Sequence, residues 1–588
     1  MYRGSNHTTN KPPVDRQRPR SFFADAPNSG SSLGLHYARG VSLPVIAATV
    51  LVALALGYRF YGRLIARQYN LASTTDTPAH LRRDDIDFVP TKPFYLFGQH
   101  FSAIAAAGPI VGPILATQQF GWLPAILWIV FGVVFIGAVH DFTTLVASVR
   151  HDARSIAEVA KVNLGKRAWL AMLAFIWLAL IYVIVAFVDV TAGSFTTKAQ
   201  PGIASTYDQG GAVALAGILY LLLAVVMGLV DRWLKPKLWI QTVIFVPLIF
   251  VAVWFGTEHS TWLAHSWQLW VVLILAYCFV ASLSPMWILL QPRGYLGGFV
   301  LYAALLIGVL GIFVGGFEIK RPAFESFDSS GGLLFPFLFV TIACGACSGF
   351  HGLVCSGTTS KQINRERDCH PIGYGAMLLE AFVAVIAVAT IMIVAAPANG
   401  KMIPPDAAYA SGIGAFLHAL TGLDPVAATT FGAMVLSTFI FDTLDSATRL
   451  GRYILQELFG TTTKLSGYVT TALTVIVPLV FLLLAGQGSF RKFWVLFGTS
   501  NQLLAALSLL AISVWLKRQG KPIWYVVAPM VFVMAVTVVA LVSQTRMLVQ
   551  NAVGSPDWIN GLISAVLLGL AAMLVWFARR AWSTGPEQ

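Results

Sequence analysis

The chain has 588 residues, of which 57% are apolar and only 11% are charged. Soluble domains carry about 25% charged residues, so this composition excludes a multidomain soluble protein, a disordered chain and a collagen-like fibre. The net charge is +13, but no basic stripe interleaved with aromatic residues occurs, and nucleic-acid binding is not indicated. The sequence predicts an all-α polytopic protein whose surroundings are a lipid bilayer.

Residues 1–40 contain Pro, Ser and Arg without an apolar period, and we predict a disordered tail. Residues 41–582 are predicted to form a single membrane domain. Apolar runs of about 20 residues, the length that crosses a ~30 Å hydrocarbon core, predict about fifteen transmembrane helices. They span about 43–65, 99–118, 120–147, 167–193, 210–232, 238–256, 268–290, 294–317, 333–355, 373–397, 425–447, 466–487, 491–517, 522–543 and 558–578.

Lys and Arg concentrate in alternate connections between these runs, and such connections are cytoplasmic in membrane proteins. Examples are the connections around 150–167, 232–237, 361–367, 449–464 and 517–521. This pattern predicts a cytoplasmic C-terminus. An odd number of helices would then place the basic tail outside, so either the tail crosses despite its charge or the count is wrong by one.

Two segments are rich in helix-breaking residues for their hydrophobicity. The first, 97–113, contains Gly108-Pro109 and Gly112-Pro113, and the second, 343–361, contains four glycines and ends in hydroxyl residues. Corresponding breaks in two halves indicate a transporter binding site. Their spacing predicts inverted repeats of five helices each, over about 97–256 and 333–517. The alternative is that small residues merely allow close helix packing.

Several motifs resemble the signature of the carbon starvation protein A family over about 50–550. They are Phe97–Pro109, Asp141-Phe142, Arg150–Ser155, Thr341–Ala346, Ser348–His351, Ser356–Thr359, Gly373–Met377, Asp445–Arg449, Arg452-Tyr453 and Leu455–Leu458. The resemblance implies an inner-membrane secondary transporter of the amino acid–polyamine–organocation superfamily, with a leucine-transporter-like 5+5 inverted repeat. It implies uptake of peptides or proton-driven uptake of pyruvate. Longer members begin with one more membrane helix, and the region 398–424 is short here.

Free backbone N–H groups at a half-helix N-terminus favour an anionic substrate such as a carboxylate. Hydroxyl and imidazole groups near the breaks can add donors, although a lone membrane histidine is often a satisfied packing residue. The candidate substrate-binding residues are His100, Ser102, Gly108, Pro109, Gly112, Gly345, Ser348, Gly349, His351, Ser356, Thr358 and Thr359.

Acidic residues inside membrane spans are costly and are therefore functional candidates. The candidate ion-coupling residues are Asp442, Asp445, Thr438, Asp189 and Glu380. Asp442 and Asp445 share a helix face, on the helix that lines the cation site in the resembled fold, and we favour them for proton or sodium coupling. The alternative for Asp445 is a pair with Arg449 or Arg452. For Asp141, a local cap or ion pair is as plausible as coupling.

Cys344, Cys347, His351 and Cys355 would form a narrow stripe on one continuous helix. Four ligands spread along about 16 Å of a helix cannot converge on one tetrahedral metal ion, so no metal site is predicted. No nucleophile elbow, P-loop or Rossmann fingerprint occurs, and we predict neither an enzyme nor a cofactor.

The resulting hypothesis is proton- or cation-coupled import of a small carboxylate-bearing nutrient, either a peptide or pyruvate. The alternative is a nutrient-sensing membrane receptor without transport. The sequence does not distinguish peptide from pyruvate or proton from sodium, and nothing in it indicates an oligomeric state.

Overall fold

Helices make up most of the protein. The computed structural model describes residues 42–74, 76–84, 88–105, 107–197, 207–285, 287–329, 331–461 and 463–584. The prediction of an all-helical chain is confirmed, and a short antiparallel pair of strands, β1 (Asp328–Ser329) and β2 (Gly332–Leu333), precedes the second half. The predicted tail, 1–40, lies outside the described residues.

The helices of the first half run from α1 to α11. They are α1 (Leu43–Arg67), α2 (Pro78–Leu81), α3 (Pro93–Ile104), α4 (Gly108–Phe120), α5 (Trp122–Arg150), α6 (Ile156–Leu164), α7 (Lys166–Phe195), α8 (Gln209–Leu234), α9 (Leu238–Glu258), α10 (Trp267–Leu283) and α11 (Leu290–Val314).

The helices of the second half run from α12 to α20. They are α12 (Leu334–Thr341), α13 (Gly349–Gly357), α14 (Glu366–Met392), α15 (Pro405–Thr421), α16 (Pro425–Phe459), α17 (Lys464–Ala485), α18 (Phe490–Arg518), α19 (Trp524–Gln550) and α20 (Pro556–Thr584).

Among the described residues, twelve helices are long and apolar enough to cross a membrane. A thirteenth span results when α3 and α4, which meet at a 47° bend, are taken together. The structure therefore confirms a polytopic membrane protein but not the predicted count of about fifteen. The other predicted crossings correspond to α10, which has 17 residues, and to the α12–α13 pair.

Three helices appear where the sequence predicted none: α15, α6 and the single-turn α2. α15 lies within 398–424 and has 17 residues rich in Ala and Gly, so its apolar signal is weak. It packs against α11, α14 and α16, and tertiary packing of this kind stabilises helices that propensity alone would not. α6 begins at Ser155, whose hydroxyl accepts a hydrogen bond from the Glu158 amide at 3.3 Å.

The helices divide into a central group and a peripheral group. In the most apolar 18-residue stretch of each helix, 94% of the residues are buried in α18 and 83% in α7, whereas only 28% are buried in α9. Each of the central helices α5, α7, α14, α16 and α18 carries a buried polar residue. These residues are Asp141, Asp189, Glu380, Asp445 and Asn501. Since desolvated polar groups need partners, their contacts define the candidate site.

Candidate functional site

The first break separates α3 from α4. The backbone leaves helical geometry after Ile104 and α4 starts at Gly108. Gly108 packs against Cys344, and Gly112 packs against the carbonyl of Thr341, so closely that a Cβ atom at either glycine would overlap its neighbour. The glycines therefore bring the two broken segments into direct contact, which is the close-packing role that was the alternative in the sequence analysis.

The second break lies between the end of α12 at Thr341 and the start of α13. Backbone carbonyls freed by the break accept hydrogen bonds from side chains of central helices. Trp494 Nε1 donates to the Thr341 carbonyl at 3.0 Å, and Trp128 Nε1 donates to the Ile342 carbonyl at 3.1 Å. An interrupted helix in a membrane is stable only when its freed groups are satisfied in this way.

Asn501 of α18 holds the other side of this break. Its Oδ1 accepts from the backbone amide of Phe350 at 2.9 Å, and its Nδ2 donates to Ser348 Oγ at 3.0 Å and lies 3.2 Å from Cys344 Sγ. The neighbouring Gln502 donates to the Phe339 carbonyl at 2.9 Å. The sequence analysis missed both residues. Adjacent amides inside an apolar run were the signal that could have revealed them.

A fully buried group, which we call the His–carboxylate cluster (His140, Asp141, His351 and Glu380), lies directly after the second break. Asp141 stands between two imidazoles, with Oδ1 2.8 Å from His140 Nδ1 and Oδ2 3.0 Å from His351 Nδ1. The other nitrogen of His351, Nε2, is 3.4 Å from Glu380 Oε2. α5, α13 and α14 thus meet at one histidine.

Glu380 has an unusual environment for a carboxyl group. It is 0% exposed, and neither oxygen has a partner with hydrogen-bond geometry among the described residues. Ala384, one turn later on α14, faces Gly345 in the break, where a Cβ atom would come within 3.0 Å. Glu380 therefore lies beside the broken segment, and an ionised carboxylate without donors there would be strongly disfavoured.

His100 of α3 joins the two broken segments. Its Nδ1 lies 2.9 Å from Thr359 Oγ1, and its Nε2 lies 4.0 Å from Cys355 Sγ at the far end of α13. The structure thus brings together His100 and Thr359, which the sequence analysis selected independently as substrate-binding candidates.

Of three other candidate hydroxyls, Ser356 and Thr358 make contacts away from the breaks, and Ser102 lies two residues before the end of α3. Ser356 Oγ donates to the Gly352 carbonyl at 2.7 Å and accepts from the Ile156 amide at 3.1 Å. Thr358 is exposed and bonds back to its own helix, and Ser102 is only partly buried. These contacts favour roles in helix packing and termination.

A second group, the arginine–aspartate cluster, joins α10, α11 and α16; its Arg293 and Asp445 are buried, and its Tyr277 and Asp442 are partly buried. Arg293 is 1% exposed. Its Nε donates to Asp442 Oδ1 at 2.7 Å, and its Nη1 contacts both Asp445 and the Tyr277 hydroxyl, the latter at 2.8 Å. The Tyr277 hydroxyl also donates to Asp445 at 2.7 Å.

Arg293 was missed because only acidic residues were sought inside the spans and the predicted helix began just after it. In place of the alternative pair with Arg449 or Arg452, Asp445 contacts Arg293 and Tyr277, and Arg449 Nη2 donates to the Ala281 and Ser284 carbonyls at 2.7 and 3.0 Å. Thr438, the third candidate of this helix, is buried, and its hydroxyl has no partner within the described part of the chain.

Asp189 of α7 caps the N-terminus of α18. Its carboxylate accepts from the Phe490 amide at 2.6 Å, from Ser489 Oγ at 3.3 Å, from the Gly488 amide at 3.3 Å and from Trp267 Nε1 at 2.9 Å. A carboxylate saturated with donors at a helix N-terminus is electrostatically favourable. This geometry favours a structural role over ion coupling.

The continuous helix assumed for the cysteine stripe is absent, because α13 begins only at Gly349. Cys344 instead contacts Asn501, and Cys355 lies near His100. The argument from helical spacing was therefore wrong in its premise. In the described ranges, no group of three or more His, Cys, Asp or Glu side chains has an arrangement suited to a metal ion.

At one end of the bundle, polar loops close over the central helices. Arg150, at the end of α5, donates to Glu366 at 2.5 and 3.2 Å and to the Tyr69 carbonyl at 2.7 Å. Glu366 also accepts from the Ala72 amide at 2.9 Å. Burial and the nearby charge of Arg150 lower the pKa of the Lys521 ammonium in the α18–α19 loop. This end corresponds to basic connections that the sequence analysis predicted to be cytoplasmic.

The sequence is similar to curated bacterial transporters along most of its length. It is 32% identical over 581 residues to the peptide transporter CstA of Campylobacter jejuni, covering 86% of this chain and 80% of that one. It is 31% identical over 608 residues to the peptide transporter CstA of Bacillus subtilis, covering 91% and 97%. It is 32% identical over 597 residues to the pyruvate/proton symporter BtsT of Escherichia coli, covering 85% and 81%.

Among solved structures, a manganese transporter of Eremococcus coleocola superposes on 85% of this chain and 99% of its own, with a TM-score of 0.44 and 14% identity. That likeness is too low to assign the order of the helices. The comparison with protein families matches residues 41–408 and 396–540 to the family described as carbon starvation protein CstA. The extent of this match shows that the chain belongs to the carbon starvation protein CstA family.

Proposed function

We propose that this protein is a secondary active transporter that imports a small carboxylate-bearing nutrient, a peptide or pyruvate, together with a proton. The observation that carries the proposal is the direct contact between two interrupted membrane segments, Gly108 on Cys344 and Gly112 on Thr341. Interrupted helices near the bilayer midplane are typical of secondary transporters, whose substrates bind at such breaks. The relatives named as peptide transporters and as a pyruvate/proton symporter supply the two substrate classes.

The substrate site of this proposal lies between the two breaks. α4 and α13 both begin there, and free N–H groups at helix N-termini attract a carboxylate. Ser348, His100 and His351 are buried close by and can add donors. Because the glycines of one segment contact the other segment in the described state, the substrate enters when the segments move apart.

We infer further that about 97–256 and 333–517 form a 5+5 inverted repeat in which one half rocks against the other. Each half opens with an interrupted segment, and the central helices come from both halves: α5 and α7 from the first, α14, α16 and α18 from the second. If α10 and both interrupted pairs cross the membrane, the number of crossings is about fifteen. The basic connections favour a bacterial inner membrane location with a cytoplasmic C-terminus.

Uptake into proteoliposomes tests the proposal. Labelled peptide and labelled pyruvate are offered with and without an imposed proton gradient, and a protonophore serves as the control that collapses the gradient. Proton-dependent accumulation of one of them is expected. If neither substrate is taken up in response to a gradient, the proposal is overturned. If uptake follows a sodium gradient instead, proton coupling is overturned.

The same assay separates the transporter from a nutrient-sensing receptor. A receptor binds the nutrient without carrying it, so binding to the detergent-solubilised protein would occur without any uptake or exchange. Exchange of internal unlabelled for external labelled substrate, measured without a gradient, excludes that outcome.

A further inference from the structure

We propose that the coupling proton is held between His351 Nε2 and Glu380 Oε2, which makes this pair the proton site of the carrier. The inference rests on the proposed function for its role in transport. The carrying observation is geometric: one histidine lies between two carboxyl groups, 3.0 Å from Asp141 on one side and 3.4 Å from Glu380 on the other.

The hydrogen-bond partners of Asp141 determine the state of both neighbouring imidazoles. Its two oxygens face Nδ1 of His140 and Nδ1 of His351, at 2.8 and 3.0 Å. An ionised carboxylate only accepts, so both Nδ1 atoms carry protons. The environment of His140 Nε2 supports this assignment. The atom is buried against Gly352 and has no hydrogen-bond partner in the described structure. A nitrogen without a proton is less destabilised there than an unpaired N–H would be.

With Nδ1 of His351 protonated, a neutral ring presents an acceptor lone pair at Nε2. The atom facing it is a carboxyl oxygen, also an acceptor when Glu380 is ionised. Two acceptors that face each other in a buried site repel, and Glu380 has no donor among the described residues. The pair therefore needs one proton, either on Glu380 as a carboxylic acid or on His351 as an imidazolium. In both cases the pair holds a single removable proton.

Several other titratable groups lie near the pair of His351 and Glu380. α5 contributes His140 and Asp141, and α3 contributes His100. From the break, the thiol of Cys344 interacts electrostatically with Glu380, and that of Cys347 with Asp141. Among these described neighbours there is no permanent cation, so the charge of the cluster is set by protons alone, unlike that of the arginine–aspartate cluster.

Loss of the proton leaves bare Nε2 of His351 opposite ionised Glu380. The two groups then repel, and α13 separates from α14 or admits water. Because α13 begins at the break where Asn501 holds its first turn, this separation changes the substrate site. If the two protonation states favour the two conformations by about 10⁴-fold, the change of protonation shifts a two-state equilibrium almost completely. The proton returns when the pair faces the more acidic side.

The transport test compares Glu380→Gln with Glu457→Gln. The amide introduced by Glu380→Gln cannot release a proton, whereas Glu457 is a partly buried carboxyl outside the cluster that accepts from Trp169 at 2.9 Å. For one proton per substrate at zero membrane potential, a gradient of about one pH unit supports about tenfold accumulation. We expect Glu380→Gln to lose this accumulation entirely while retaining gradient-free exchange, and Glu457→Gln to keep both. Full accumulation by Glu380→Gln overturns the inference and leaves the proposed function standing.

A spectroscopic test needs no transport and therefore remains decisive if neither substrate is carried. Infrared difference spectra between acidic and alkaline buffer are recorded on the purified wild type, Glu380→Gln and His351→Gln, with native folding checked by gel filtration. The bands of one carboxyl–imidazole unit should titrate together in the wild type and disappear in both variants. Wild-type bands that persist in either folded variant overturn the proton site. If wild type lacks accumulation yet shows these bands, only the proposed function fails.

Discussion

The arginine–aspartate cluster and the His–carboxylate cluster contain similar acids but differ in the basic residue that contacts those acids. In the arginine–aspartate cluster, Asp442 and Asp445 share the guanidinium of Arg293, which stays charged at any physiological pH. In the His–carboxylate cluster, Asp141 and Glu380 share His351, whose imidazole can gain or lose a proton. A fixed cation makes a buried acid a permanent structural ion pair, whereas an imidazole makes it sensitive to protons.

This difference reverses the emphasis of the sequence analysis. Asp442 and Asp445 were favoured for ion coupling because they share a helix face, and their compensation by Arg293 could not be anticipated from that spacing. Substitutions at Arg293, Asn501, Asp442 and Asp189 test this contrast and the packing around the two clusters.

Replacement of Arg293 should have the largest effect. Arg293→Gln leaves Asp442 and Asp445 buried without a cation, and removal of one partner of a buried ion pair costs about 3–5 kcal/mol. We expect a large loss of thermal stability in detergent, measured by scanning fluorimetry, and a smaller loss for Arg293→Lys. Equal stability of Arg293→Gln and wild type would mean that the cluster is not held by this arginine.

The amide that supports the second break should come next. Asn501→Leu removes the acceptor of the Phe350 amide and the donor to Ser348, and a buried donor left unpaired costs about 1–3 kcal/mol. We expect lower thermal stability and weaker substrate binding, because the first turn of α13 loses its support. Ser508→Ala is a control on the same helix, since that buried hydroxyl bonds to its own backbone at 2.8 Å. If Asn501→Leu binds substrate with wild-type affinity, the second break does not form part of the substrate site.

Asp442→Asn should have an intermediate effect on stability and none on coupling. Arg293 keeps its contacts with Asp445 and Tyr277, so the loss of one charge-assisted bond should cost about 1–2 kcal/mol. Proton-driven accumulation in proteoliposomes should persist. Its disappearance, with exchange retained, would return the coupling role to Asp442 and favour the original sequence-based hypothesis.

Asp189→Asn should have the smallest effect. Asn keeps one acceptor oxygen but turns its NH2 group towards two of the donors, so Asp189→Asn should cost about 1 kcal/mol, and Asp189→Ala, which leaves every donor unpaired, about 1–3 kcal/mol. Accumulation driven by a proton gradient should be unchanged in Asp189→Asn, measured in the same vesicles. If this variant abolishes accumulation without unfolding, Asp189 acts as more than a helix cap.

Much of the architecture was predictable because hydrophobicity and length are local properties. The α7 prediction of 167–193 differs from the observed Lys166–Phe195 by at most two residues. Gly and Pro marked the first break, and Gly alone marked the second. The predictions failed where local signals were weak, as for α15. They also failed where a helix assumed to be continuous was interrupted, as for the cysteine stripe. The Asn501 and Arg293 contacts depend on residues more than a hundred positions apart in sequence.

By itself, the sequence determined the protein class, the broken segments, the family resemblance and a short set of acids inside the spans. Each follows from composition or from neighbouring residues, because a bilayer leaves few ways to place an apolar helix or a charge. Only the tertiary structure decided the partners of those acids. Compensation of a buried charge depends on groups from other helices, so the contrast between Arg293 and His351 arises only when α5, α11, α13, α14 and α16 pack together.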